Sequence, residues 1–170
     1  MIQHPDEASH ALNTARLLVA GLVNAHLLVT ESLADHPDWV RRLSDSGWRN
    51  ELLFPGPDAR ELSVARDTRP RRLILLDGTW RKARKLLYLN PILQSLPQVR
   101  LASGLSSRYR LRKAPRADAL STIEAGAEAL SLLHTGFERD RLLAPFEALI
   151  DGQISAMGEQ RYQRNYRDRQ

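Results

Sequence analysis

Asp77-Gly78-Thr79-Trp80 sets a carboxylate, a glycine, a hydroxyl and an indole side by side. A carboxylate held against a substrate N–H can act as a general base, and an indole face beside it can stack on a nucleobase. The same four residues also have a plain structural use, since strand-end Asp–Gly turns are common, Asp77 can cap the following helix and Trp80 can be core. Leu120-Ser121-Thr122-Ile123-Glu124-Ala125 carries the S-x-x-E capping box. A helix N-terminus bearing the hydroxyls of Ser121 and Thr122 also suits a ligand carboxylate or ribose. In Arg108-Tyr109-Arg110-Leu111-Arg112-Lys113, alternation on a strand would point Arg108, Arg110 and Arg112 to one side. That side cannot be core. It suits phosphate contact or a solvated edge strand.

The charge around the carboxylate is lopsided. From Arg69 to Arg116 there are thirteen basic residues and a single acidic one, Asp77, whereas elsewhere acids outnumber bases nineteen to twelve. A net charge of +5 means little alone, but a window this basic gathers phosphates and releases their counterions, which points to a nucleic-acid partner. Arg81 and Arg84 join Arg108, Arg110 and Arg112 as expected backbone contacts. The absence of cysteine excludes disulfides and thiolate metal sites. His4, His10, His26, His36 and His134 show no ligand spacing, so no metal is expected. Glycine-rich dinucleotide, P-loop and nucleophile-elbow motifs are not present. Neither an apolar run of about 18 residues nor a signal-peptide pattern occurs, so the expectation is a cytoplasmic protein without a membrane span or an evident obligate protein partner.

The elements that would position these groups alternate. Asn13–Val23 has helical apolar spacing behind a capping Asn13, His26–Thr30 is a short apolar run, Pro37–Leu43 is helical, and Glu51–Pro55 is again short and apolar. Pro55–Pro70 reads as loop. Arg72–Leu76 has four consecutive apolar residues, which suits the centre of a parallel sheet, and Thr79 then caps a helix to Leu89 with Trp80, Ala83 and Leu87 inward and Arg81, Lys82, Arg84 and Lys85 outward. Gln98–Ala102 reads as strand, Ser103–Ser107 as loop, Tyr109–Lys113 as an alternating basic segment. A helix follows from the capping box to Leu133, and a last helix is interrupted near Pro145. The order predicts a single α/β domain over residues 1–157, with a mostly parallel sheet flanked by helices, and a basic tail at 158–170. Ligands of such sheets bind where strands end and helices begin, which is where Asp77 falls.

Taken in order, Asn13-Thr14-Ala15-Arg16-Leu17, Leu53-Phe54-Pro55, Leu76-Asp77-Gly78-Thr79-Trp80, Tyr109-Arg110-Leu111-Arg112 and Ser121-Thr122-Ile123-Glu124-Ala125 resemble the DTW-domain family of tRNA-uridine aminocarboxypropyltransferases. The likeness runs from about His4 to about Leu133. It implies a SPOUT-related fold with a C-terminal trefoil knot. The implied activity is transfer of the 3-amino-3-carboxypropyl group of S-adenosylmethionine to a tRNA uridine, usually in the variable loop, with Asp77 catalytic. By the same relationship Thr14, Leu76, Leu101 and Thr122 are expected to contact the cofactor, with Thr79, Trp80 and Ser121 beside them. Many members carry a cysteine cluster ahead of the His-Pro, here His4-Pro5, and this sequence has none. Two alternatives stand beside this reading, a SPOUT-type RNA methyltransferase and a non-catalytic RNA-binding domain.

Overall fold

The computed structural model describes residues 1–64, 67–111 and 119–167. Their strands are β1 (Ile2–Gln3), β2 (Leu28–Val29), β3 (Arg49–Leu53), β4 (Arg60–Glu61), β5 (Arg71–Asp77) and β6 (Gln98–Arg100). They lie in the order β2-β1-β5-β3-β6-β4, and every pairing is parallel. β5 is the longest of them because its run of apolar residues can be covered on both faces. Ile74 and Leu76 join Leu33, Leu86 and Leu93 on one side, while Leu73 and Leu75 join Ile123 and Phe146 on the other.

The helices are α1 (Thr14–Ala20), α2 (Pro37–Ser44), α3 (Trp80–Leu89), α4 (Pro91–Gln94), α5 (Thr122–Leu133), α6 (Arg139–Met157) and α7 (Glu159–Tyr162). Side chains of α2, α3 and α4 build the first core, those of α1, α5 and α6 the second. Polar side chains mark where α1 and α5 begin. The Asn13 side chain accepts from the Arg16 N–H at 3.0 Å, and Glu124 accepts from the Ser121 N–H at 2.8 Å. Helices α1 and α5 approach closely because Gly126 has no side chain; a Cβ there would lie 2.5 Å from Leu18 Cδ2.

The sheet is parallel throughout the described residues, in keeping with the expected mostly parallel sheet. Three expectations need correction. Two strands, β1 and β4, were not foreseen; β4 lies inside the segment expected to be loop. Both are two residues long, too short for any period to show. Helix α6 runs through Pro145 without a break. Arg108 and Arg110 are not on a strand: Arg110 and Leu111 form a turn, and Arg112 lies outside the described residues. No described helix is long and apolar enough to cross a membrane.

Candidate active site

Strands β1 and β5 are neighbours, yet the chain leaves them in opposite directions. From β1 it passes through α1 on one face to β2, and from β5 through α3 and α4 on the other face to β6. At such a switch point the two connections diverge and leave a crevice beyond the carboxyl ends of the strands. Gln3 and Asp77 are the last residues of β1 and β5 and are paired in register. Asp77 is 7% exposed. Gln3 Nε2 donates to its Oδ2 at 2.8 Å, and the Thr122 hydroxyl donates to its Oδ1 in a short hydrogen bond. The carboxylate thus stands between β1 and the first turn of α5. A carboxylate offers about four acceptor positions, so with two taken it keeps capacity for a substrate N–H.

Beyond Asp77 a cavity of about 640 Å³ opens. Thr14, Leu76, Thr79, Trp80, Leu101, Ser121 and Thr122, all expected around a cofactor, line it together with Asp77. Four separate segments supply them, so their convergence is a property of the topology. Trp80 meets Phe54 edge-on, with ring centroids 6.0 Å apart, which fixes the plane of the indole at the wall. Arg100 and Tyr109 also line the cavity; Tyr109 belongs to the Tyr109-Arg110-Leu111-Arg112 motif but was given no part in the site, and Arg100 was counted only among the basic residues. Arg100 follows a buried Val99 on a three-residue strand, a context with no local mark of a site.

Glu124 does more than cap. It is 3% exposed, and besides the Ser121 N–H it accepts from the Ser107 hydroxyl at 2.9 Å and the Arg108 N–H at 2.5 Å. One buried carboxylate thereby ties the loop carrying Tyr109 to the start of α5, closing that side of the cavity. Gly78 makes the other side. Its φ is +154°, and a Cβ would sit 3.0 Å from Lys82 Cβ. Gly78→Ala is expected to cost about 1–3 kcal/mol in urea unfolding; a change below about 0.5 kcal/mol would contradict this reading of the turn.

The cations sort into two groups. Lys82 pairs with Glu7 at 2.7 Å, whose hydrogen bond holds the ammonium above the ordinary lysine range, and Lys85 pairs with Glu31 at 2.8 Å. Arg108 pairs with Glu147 at 2.8 Å and Asp140 at 3.1 Å, and Arg110 pairs with Asp151; these carboxylates, all on α6, raise both guanidinium groups. Arg81 and Arg84 are exposed on α3 and have no ion pair among the described residues. No cluster of three or more potential metal ligands occurs among the described residues.

Residues 1–154 match the family model described as the DTW domain. The chain belongs to the DTW-domain family. Among DTW relatives, the proteins named tRNA-uridine aminocarboxypropyltransferase 2 from Macaca fascicularis, Mus musculus and Drosophila melanogaster are 33%, 32% and 33% identical over 91%, 98% and 91% of this chain. The chain spans 54%, 58% and 63% of the length of those relatives. No solved structure matches it.

Proposed function

We propose that this DTW-domain chain transfers the 3-amino-3-carboxypropyl group of S-adenosylmethionine to N3 of a uridine in tRNA, in the variable loop. The observation that carries the reading is Asp77, held by two donors at the wall of a cavity to which every residue expected to meet the cofactor contributes. The names of the relatives support the substrate and the group transferred. The SPOUT relationship and the C-terminal knot belong to the same proposal.

The cavity suits S-adenosylmethionine. Its volume of about 640 Å³ falls in the range of sites that enclose a small ligand. Leu12, Leu75, Leu76 and Leu101 give an apolar wall for the adenosyl and methyl groups, while Thr14, Ser121 and Thr122 offer hydroxyls to the ribose and amino-acid ends. When bound, the cofactor supplies an electrophilic γ-carbon whose bond to sulfur breaks, with methylthioadenosine as leaving group. The chain's own task is to prepare the nucleophile. Uridine N3 carries a proton and attacks only once it is lost; Asp77 accepts that proton as the N3–Cγ bond forms. Because N3 lies on the pairing edge, the base must be unpaired, and Trp80 is the surface on which it stacks. Walls that place the γ-carbon, not the methyl, in line with N3 set the product.

Arg81 and Arg84, exposed on the helix that begins with Trp80, hold the RNA backbone. Arg108 and Arg110 are engaged by α6, which leaves them a secondary part. Replacing Arg81 and Arg84 by Ala is expected to weaken tRNA binding about 10-fold and to flatten the slope of log affinity against log salt by about 1.5 to 2, as read by filter binding. An unchanged slope would remove these arginines from the interface.

The function is tested by incubating the protein with unmodified tRNA and S-adenosylmethionine and analysing both the digested nucleosides and the small-molecule product by mass spectrometry. Aminocarboxypropyl-uridine with methylthioadenosine is expected. Adenosylhomocysteine would make the chain a methyltransferase, and cofactor-independent tRNA binding without product would make it a binding module.

A further inference from the structure

Gln3 has no exposed surface at all, although its place in a sheet would accommodate an apolar side chain. A buried amide is tolerated only when its polar atoms are bonded. Both Nε2 hydrogens are used, one on Asp77 Oδ2 at 2.8 Å and one on Asn13 Oδ1 at 2.9 Å. Because an ionised carboxylate only accepts, the amide nitrogen has to be the atom that faces Asp77. Asn13 is oriented in the same way. Its Oδ1 also takes the Arg16 N–H at the start of α1, and its Nδ2 donates to the carbonyls of Glu7 and Ala8 at 3.2 and 3.3 Å. The result is a hydrogen-bonded network in which Gln3 Nε2 donates both to Asp77 and to Asn13 Oδ1, the oxygen that also takes the Arg16 N–H in the first turn of α1, while Asn13 Nδ2 returns a bond to Gln3 Oε1 at 3.4 Å; Thr14, beside Asn13, lines the cavity.

We infer that Gln3 is a positioning residue for the transfer reaction: it holds the Asp77 carboxylate in one rotation against Thr122 and links that orientation to the start of α1. The inference rests on Asp77 being the base of the proposed function. Register makes this possible, since Gln3 and Asp77 sit opposite one another on adjacent parallel strands, where side chains share a face about 4.8 Å apart. With Gln3 gone, Thr122 would be the one remaining partner of the carboxylate among the described residues, and the carboxylate could then swing about that bond. Asn13 would keep its bonds to Arg16, Glu7 and Ala8, so α1 would remain capped.

The test is a double-mutant cycle. In single-turnover assays with saturating tRNA and S-adenosylmethionine, Gln3→Leu is expected to slow transfer about 10- to 100-fold, with KM for both substrates within about 2-fold of wild type, an interaction confined to the reacting state. In the Asp77→Asn background the same change is expected to cost less than about 2-fold, because a residue acting through Asp77 has nothing left to orient. Gln3→Met, which keeps the length of the side chain without its amide, should repeat the pattern and stands in if the leucine variant does not fold. Equal losses in both backgrounds, or a loss confined to KM, would overturn the positioning role while leaving Asp77 as base. A wild-type rate in Asp77→Asn alone would instead remove the base, and the Gln3 proposal with it.

Discussion

Asp77→Asn is expected to lower the rate of aminocarboxypropyl transfer by about 10²- to 10⁴-fold, the range for removal of a positioned general base. The amide keeps the size of the carboxylate and loses only its basicity. Its oxygen can still accept from Gln3 Nε2, and its nitrogen can donate to the Thr122 hydroxyl, which rotates from donor to acceptor. The fold should therefore survive, and tRNA binding, which depends on surface cations, should change by less than about 2-fold. Single-turnover rates and filter binding on the same preparation separate the two effects. A variant that binds tRNA normally and still transfers at the wild-type rate would show that N3 is deprotonated by another group.

The largest expected effect on stability lies away from the cavity. Glu51 is fully buried in β3, where it meets Arg49 at 2.9 Å, Arg71 at 3.0 Å and Arg60. These arginines begin strands β3, β5 and β4, so one carboxylate fastens three strands together. Removing one partner of a buried ionic cluster leaves the others without counter-charge, which costs about 3–5 kcal/mol. The Arg49 and Arg71 side chains are 17% and 15% exposed, so partial hydration places Glu51→Ala toward the lower end. Urea unfolding should show a loss of about 3 kcal/mol, with Glu51→Gln intermediate because its amide oxygen can still accept. A loss under about 1 kcal/mol would mean that the cluster is solvated and contributes little.

What could be read in the sequence, and what could not, follows from the range of the interactions. The centre of the sheet was legible because Leu73–Leu76 is continuously apolar, and α3 because its apolar and basic residues keep helical spacing behind Thr79. Asp77 was legible as the residue where those two patterns meet. The capping box at Ser121 was equally local, but the reach of Glu124 to Ser107 and Arg108 was not, since those donors lie in a loop far back along the chain. The same limit applies to the basic window. Charge counting treats thirteen cations alike, whereas Lys82, Lys85, Arg108 and Arg110 are each paired with carboxylates from other segments, and Arg81 and Arg84 have no ion pair among the described residues. Gln3 had no signal at all. It ends a two-residue strand, and only the register of β1 against β5 sets it beside Asp77.

The most direct measurement of the central claim uses S-adenosylmethionine labelled either in the methionine carboxyl carbon or in the methyl carbon, each incubated with the protein and unmodified tRNA. The account predicts that the carboxyl label enters tRNA in proportion to methylthioadenosine released, that the methyl label stays with the small-molecule product, and that Asp77→Asn suppresses both events together. Methyl label in the tRNA, with adenosylhomocysteine in solution, would contradict it.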